Sequence, residues 1–306
     1  MIFLRKVVST FRDLALGAAA ATWLAAACAW AEDATPANGP DAPTCDHAAF
    51  RVILDVGHTA EFPGAKSARG EHEYDFNLRL AKLIQQQLTD AGYAKTTLLV
   101  TSGPTQRGLG QRVARANNLG ADLFLSIHHD SVPDKFLEKW IYEGTKHSYS
   151  DRFSGHSLFV SSENPEFRAS VLFGKLLGEQ LKTRGLQYAH QYSQPFMGSR
   201  RRQVVDGDVG VYRFDHLRVL SATHMPAVLL EAGSIINRDE ELAMETPERQ
   251  GLISTAVVDA VASFCALRRP VRPTQMARKP TTAPAAKPAM RPASASSFVS
   301  PFAKRP

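Results

Sequence analysis

The sequence predicts an α/β fold: a single domain built on a twisted, mostly parallel sheet covered by helices on both faces. Three observations predict it. Short, continuously apolar runs such as "RVILDVG", "DLFLSIH" and "PAVLLEAG" read as strands buried on both sides. Segments with apolar residues at helical spacing alternate with them, the order expected when parallel strands are joined by helices. Residues 46–267 are enough for one sizeable core and show no internal repeat.

Taken in order, "RVILDVG" is the first strand. The amphipathic helix "EYDFNLRLAKLIQQQLTDAGY" follows, with Phe76, Leu80, Leu83, Ile84 and Leu88 on one face and Gly92 at its end. "TTLLVTS" is a strand, "GLGQRVARANNLG" a short helix stopped by Gly120, and "DLFLSIH" the middle strand. The strand "SLFVS" and the helix "EFRASVLFGKLLGEQLKTRG" come next, then the strand "PAVLLEAG". The last helix opens with Thr246 as N-cap and Pro247 at its first position. It carries the stripe Ile253, Ala256, Val257, Ala260, Val261 and Phe264. Two segments, Pro133–Gly155 and Leu186–Asp215, show neither period and read as functional loops or lids. The second contains "SRRRQ", a solvated basic loop or a contact for an anionic group.

The ends differ from the domain. Residues 1–31 read as a secretory signal: a basic start, an alanine-rich apolar run and the small-residue pattern Ala29-Trp30-Ala31. Membrane attachment is expected only if Cys28 is lipidated. Residues 32–45 form a linker. Residues 268–306 form a basic, Pro/Ala-rich tail that cannot bury enough apolar surface to order itself. That tail holds nine Lys and Arg and no Asp or Glu, and the first 31 residues add three basic groups against one acid. Of the chain's 36 basic and 30 acidic residues, 24 and 29 therefore remain between, a net charge of −5. The basic balance belongs to the ends, and the domain has no nucleic-acid signature. Cys45 and Cys265 flank the domain, and in an oxidising compartment they are expected to form a disulfide.

Ligands of open α/β sheets collect at the carboxyl ends of strands. His58 follows "VILDVG", His128 ends "LFLSI" and Glu231 closes "AVLLE", so the three converge on one rim. His128 and His129 are adjacent on a strand and must point to opposite faces, so one serves a site and the other the scaffold. Two imidazoles and one carboxylate suit Zn2+ with positions left open for water and substrate. Glu73, at the start of the first helix, is the preferred carboxylate, with Glu71 and Glu61 as rivals. Glu231 is then placed to act as general base. The helical HExxH pattern is absent, which excludes that arrangement.

From about Arg51 to Phe264 these residues resemble the zinc-dependent N-acetylmuramoyl-L-alanine amidases of the amidase 3 type. "DVGH" matches the family's Asp-x-Gly-His, "FPGAKSARG" its Pro-Gly-Ala, "EYDFN" its Glu-x-Asp-x-Asn, "SIH" its Ser-x-His, and "PAVLLEAG" its Pro-Ala-Val-Leu-x-Glu-x-Gly. The resemblance implies His58, Glu73 and His128 as zinc ligands and Glu231 as the catalytic carboxylate, which makes His129 the scaffold histidine. It departs from the family at Thr59, at Asp130, where an Asn is common, and at the displaced Arg218. His72, His156, His216 and His224 read first as loop or core histidines; of these, His216 and His224, just before the strand of Glu231, are the nearest to candidate substrate contacts. The implied activity is hydrolysis of the amide between N-acetylmuramic acid and L-alanine in peptidoglycan, during wall remodelling or daughter-cell separation in the periplasm or outside the cell. An activator protein that releases a lid is a further implied partner. The rivals are a zinc peptidase acting within the stem peptide and a non-catalytic wall-binding module.

Overall fold

In the computed structural model, which describes residues 45–268, β1 (Val52–Val56) leads to α1 (Glu73–Asp90), β2 (Thr97–Leu99), α2 (Thr105–Leu119) and β3 (Leu123–Asp130). A hairpin of β4 (Glu138–Tyr142) and β5 (Thr145–Tyr149) precedes β6 (Ser157–Val160) and α3 (Phe167–Thr183). After two 3-10 turns come β7 (Gln203–Asp206), β8 (Val211–Arg213), α4 (Arg218–Ser221), β9 (Ala227–Ser234), α5 (Arg238–Glu245) and α6 (Pro247–Leu267). The expected signal, the linker up to residue 44 and the tail beyond residue 268 lie outside the described residues.

Seven strands form one sheet in the order β2-β1-β3-β9-β6-β8-β7. The pairings β2–β1, β1–β3, β3–β9 and β6–β8 are parallel, while β9–β6 and β8–β7 are antiparallel. The expectation of a mostly parallel sheet holds, with the chain reversing direction at β6.

Alternation along the strands sorts the core into two layers. Val52, Leu54 and Val56 of β1, Leu125 and Ile127 of β3, and Val228 and Leu230 of β9 pack with Phe76, Ile84, Phe173 and Phe264 from α1, α3 and α6. The intervening Ile53, Phe124 and Leu229 pack instead with Val113 and Ala116 of α2 and Val219 and Leu220 of α4. Every residue of β1 is buried, as a strand covered on both faces requires. The α6 stripe is buried as expected, and Thr246 caps that helix by accepting from the Arg249 N–H at 3.2 Å. Gly120 ends α2 in the left-handed conformation (φ 57°), which costs a residue without Cβ little.

The two segments without a period are not irregular throughout. The first holds the β4–β5 hairpin, turned by Glu143 and Gly144 at φ 47° and 77°. Trp140, Tyr142 and Tyr149 of this hairpin sit against the guanidinium groups of Arg69 and Arg238 at 4.0–5.4 Å. The second segment supplies β7 and β8. These strands are four and three residues long, too short to show alternation in sequence. Cys45 and Cys265 are joined as predicted, their Cα atoms 5.5 Å apart across 220 residues of chain. The bond ties the residues before β1 to the end of α6.

Candidate metal centre

The layering answers the question of the paired histidines. His128 shares its face of β3 with Ser126, and its register partner on β9 is Glu231. His129 points into the opposite layer, where its ring lies 5.5 Å from that of Phe76 and Nδ1 donates to Asn77 Oδ1 at 2.7 Å. Burial holds the His129 pKa down to about 3, so it is a neutral brace at ordinary pH.

His58 stands two residues beyond β1 with φ 68°, a conformation that costs a residue with a side chain about 1–3 kcal/mol. A buried ion pair holds it there. Arg112 on α2 donates to both oxygens of Asp55 at 3.1 and 3.2 Å, to Thr101 Oγ1 at 2.9 Å, and to the His58 carbonyl. Ser126 donates to Asp55 Oδ2 at 2.7 Å. Burial raises the Asp55 pKa despite the adjacent guanidinium. Sequence reasoning missed Arg112, because 57 residues separate it from Asp55 and no local pattern marks the pair.

Glu73, the first residue of α1, reaches the same point from the opposite layer. Its Oε2 lies 2.9 Å from His58 Nε2 and its Oε1 2.9 Å from His128 Nδ1. The Ala65 N–H donates to Oε2 at 3.1 Å, and Asn77 Nδ2 donates to Oε1 at 3.4 Å and to the Gly57 carbonyl at 3.2 Å. Burial pushes the Glu73 carboxyl up, but the His128 and His58 hydrogen bonds outweigh it and hold the group below the usual carboxylate range. The rivals are engaged elsewhere: Glu71 pairs with Arg79, and Glu61 accepts from the Gly103 N–H.

Donor atoms of His58, Glu73 and His128 all lie within 4.8 Å of one another. Ligands on bonds of about 2.0–2.1 Å around a tetrahedral ion stand about 3.3 Å apart, so the trio fits a small divalent metal. Two glycines keep the space clear. A Cβ on Gly57 would meet the His128 ring at 2.5 Å, and one on Gly64 would meet Glu73 Oε2 at 2.5 Å. Gly64 belongs to the "PGA" matched in sequence, and its φ of 80° also favours glycine.

Beside this trio, Glu231 Oε2 is buried with no hydrogen-bond partner. Burial and the nearby negative charges of Asp130 and Glu73 raise its pKa well above the carboxylate norm, with Arg200 acting in the opposite sense. Asp130, just past a shift in register on β3, accepts from Tyr192 Oη at 2.7 Å and lies 3.5 Å from Arg200 Nη2. Burial raises Asp130 to about 6 against these two partners. Arg200, from "SRRRQ", therefore stands at the rim, whereas Tyr192 carried no signal in sequence. On the α2 side a cavity of ≈ 140 Å³ lined by Thr59, Leu109, Leu217 and Val219 adjoins His58 and His128.

Of the other histidines, His224 precedes β9, at the end of the sheet away from the metal trio, where its N–H donates to Asn117 Oδ1. The bland reading of His224 holds and its secondary one as a substrate contact falls: it precedes the strand of Glu231 in sequence, but the strand's own length carries it away. His216 is exposed in the turn before α4.

The N-acetylmuramoyl-L-alanine amidase family (Amidase_3) matches residues 52–263. The chain is 28% identical over 227 residues to N-acetylmuramoyl-L-alanine amidase AmiA of Escherichia coli, spanning 70% of this chain and 75% of that protein. The amidase Ami1 of Mycobacterium smegmatis superposes with a TM-score of 0.54 at 21% identity, over 72% of this chain and 98% of that one. The CwlD amidase of Clostridioides difficile, solved in complex with the GerS lipoprotein, superposes with a TM-score of 0.51 at 19% identity, over 70% of this chain and 98% of that one.

Proposed function

The chain belongs to the N-acetylmuramoyl-L-alanine amidase family, and from that premise we propose that it cuts the muramoyl–L-alanine amide of peptidoglycan with Zn2+ held by His58, Glu73 and His128 and with Glu231 moving the proton. The observation that carries this reading is Glu73 bridging two imidazoles next to a buried, unpartnered Glu231 oxygen. When bound, the ion would supply Lewis-acid polarisation of the amide carbonyl and acidify water. The chain's own residues do the rest. Asp55, Ser126 and Arg112 fix the His58 backbone, while Asn77 and the Ala65 N–H aim the Glu73 carboxylate. Glu231, with a raised pKa, is suited to accept a proton from water and to return it to the leaving amine of L-alanine. The apolar cavity between α2 and α4 can take a small apolar part of the substrate beside the ligands.

An exported location and a protein activator belong to the same proposal. The signal-like residues 1–31 support the first, and the solved complex of CwlD with the GerS lipoprotein supports a protein partner for the second.

The test is mass spectrometry of fragments released from purified sacculi by the wild-type chain and by Glu231→Ala. Free peptides beginning with L-alanine, absent with the variant, are expected. Peptides cut internally would move the activity to a peptidase. Equal release by both proteins would remove Glu231 from catalysis.

A further inference from the structure

The rim that carries Glu231 continues across the sheet. Ser157, the first residue of β6, pairs with Glu231, and the bridge between His156 and Tyr188 extends the rim by one more segment of chain. That segment is held by the His156 N–H to the Gln187 carbonyl at 3.0 Å and the Ala189 N–H to the His156 carbonyl at 2.7 Å. It runs on to Tyr192, which hydrogen-bonds Asp130 at the metal centre. An open groove of ≈ 430 Å³ lies along it, lined by Ser154, Gln187, Tyr188, Gln191, Gln194 and Phe196 among others. Past Tyr188 and His190 it meets a second concavity of ≈ 310 Å³ that reaches His156.

Two features of this groove point to a ligand. Gln191 is 6% exposed, yet its Nε2 has no hydrogen-bond partner. Burying an amide donor unpaired costs about 1–3 kcal/mol, which a ligand acceptor would recover. The groove is also close to uncharged. Around Gln191 the permanent charge at its wall is Arg152, whose guanidinium is already stacked 4.5 Å from the Phe196 ring and 5.1 Å from that of Phe153, while the second concavity adds one cation and one anion, Lys182 and Asp208. Planar amides, hydroxyls and the paired rings of Tyr188 and His190, 4.0 Å apart, suit a neutral ligand rich in hydroxyl and acetamido groups. The stem peptide carries carboxylates, so the sugar chain is the part of the substrate that this wall complements.

We propose that the groove running from Gln191 and Phe196 past Tyr188 binds the glycan strand of peptidoglycan, holding the polymer beside the metal centre. The proposal rests on the amidase reading for its choice of ligand. The experiment titrates the full chain with an uncharged oligomer of N-acetylglucosamine by calorimetry, alongside Gln191→Leu, His190→Ala and Glu231→Ala.

Wild type and Glu231→Ala are expected to bind alike, and Gln191→Leu to bind about tenfold more weakly. Because Gln191→Leu removes an unpaired buried amide, its Tm should not fall, and His190→Ala gives a second, exposed test of the same wall. On sacculi, Gln191→Leu should raise KM more than it lowers kcat. No oligomer binding by wild type, affinity unchanged in both groove variants, or displacement of the oligomer by a free stem peptide would overturn the proposal. Persistent activity in Glu231→Ala would instead fault the catalytic assignment, since oligomer binding is read independently of turnover.

Discussion

The two halves of the sheet's carboxyl rim are built on opposite terms. On the β1–β3–β9 half, nearly every polar group has a partner supplied by the chain. Glu73 is aimed by His58, His128, Asn77 and a backbone N–H, and Asp55 by Arg112 and Ser126. On the β6 half, Gln191 is buried with its donor idle. The His156 ring lies near the carbonyls of Gln187 and Val209 without a well-aligned hydrogen bond to either. The first half is organised before anything binds, as a metal centre must be if its ligands are to act without rearrangement. The second is satisfied only by water or by a ligand. Glu231 lies on the boundary, paired in register with both His128 and Ser157, and shares the idle character of the second half.

The sharpest way to break this contrast is to remove a proposed ligand from the organised half. His128→Ala should lower zinc affinity by more than about 100-fold, exceeding the 10–100-fold typical of lost outer support. His156→Phe should leave affinity unchanged. Competition with a chelator of known affinity measures both, and equal losses would dissolve the distinction. Next in size, Asn77→Ala takes away the amide that ties Glu73 to the Gly57 carbonyl. It should cost about 10–100-fold in zinc affinity with the fold intact by circular dichroism. An unchanged affinity would mean that the helix backbone alone aims Glu73.

The smallest effect belongs to the other half and appears in stability. Burial holds His156 at about 4 in the folded chain, below the 6.5 of an unfolded one. The unfolded chain therefore takes up the extra proton, and stability falls as pH drops from about 6.5 toward 4. The expected loss from this residue is on the order of 1–2 kcal/mol. Denaturant melts at pH 7 and 4.5 should show a smaller difference in His156→Phe than in wild type. An identical difference would place the proton uptake elsewhere.

Legibility followed the same division. The convergence of His58, Glu73, His128 and Glu231 on one rim was legible in sequence because each stands at a strand or helix end within a short pattern, and those positions meet in a parallel sheet. The helix stripe of α6 and the N-cap Thr246 were legible for similarly local reasons, and the Cys45–Cys265 pairing from count alone, two cysteines left in a domain read as exported. Arg112 was not legible, because its role comes from a partner 57 residues away. Nor were Tyr192 and Gln191, which lie in 3-10 turns without a period and gain meaning only from Asp130 and from the groove. His224 falls away as a substrate contact because nearness in sequence to the strand of Glu231 is not nearness to Glu231 itself.

By itself, then, the sequence determined the layers and brought the candidate donors to one rim. Period-two alternation decides which face each strand residue meets, and so separates His128 from His129 before any tertiary contact is known. The tertiary structure decided what surrounds those donors: the clamp on His58, the reversal at β6, and the path of residues 187–202 back to Asp130. The physical reason is range. Backbone periodicity acts over a few residues, while a buried charge or amide finds its partner wherever packing brings one, at a separation along the chain that no local pattern encodes.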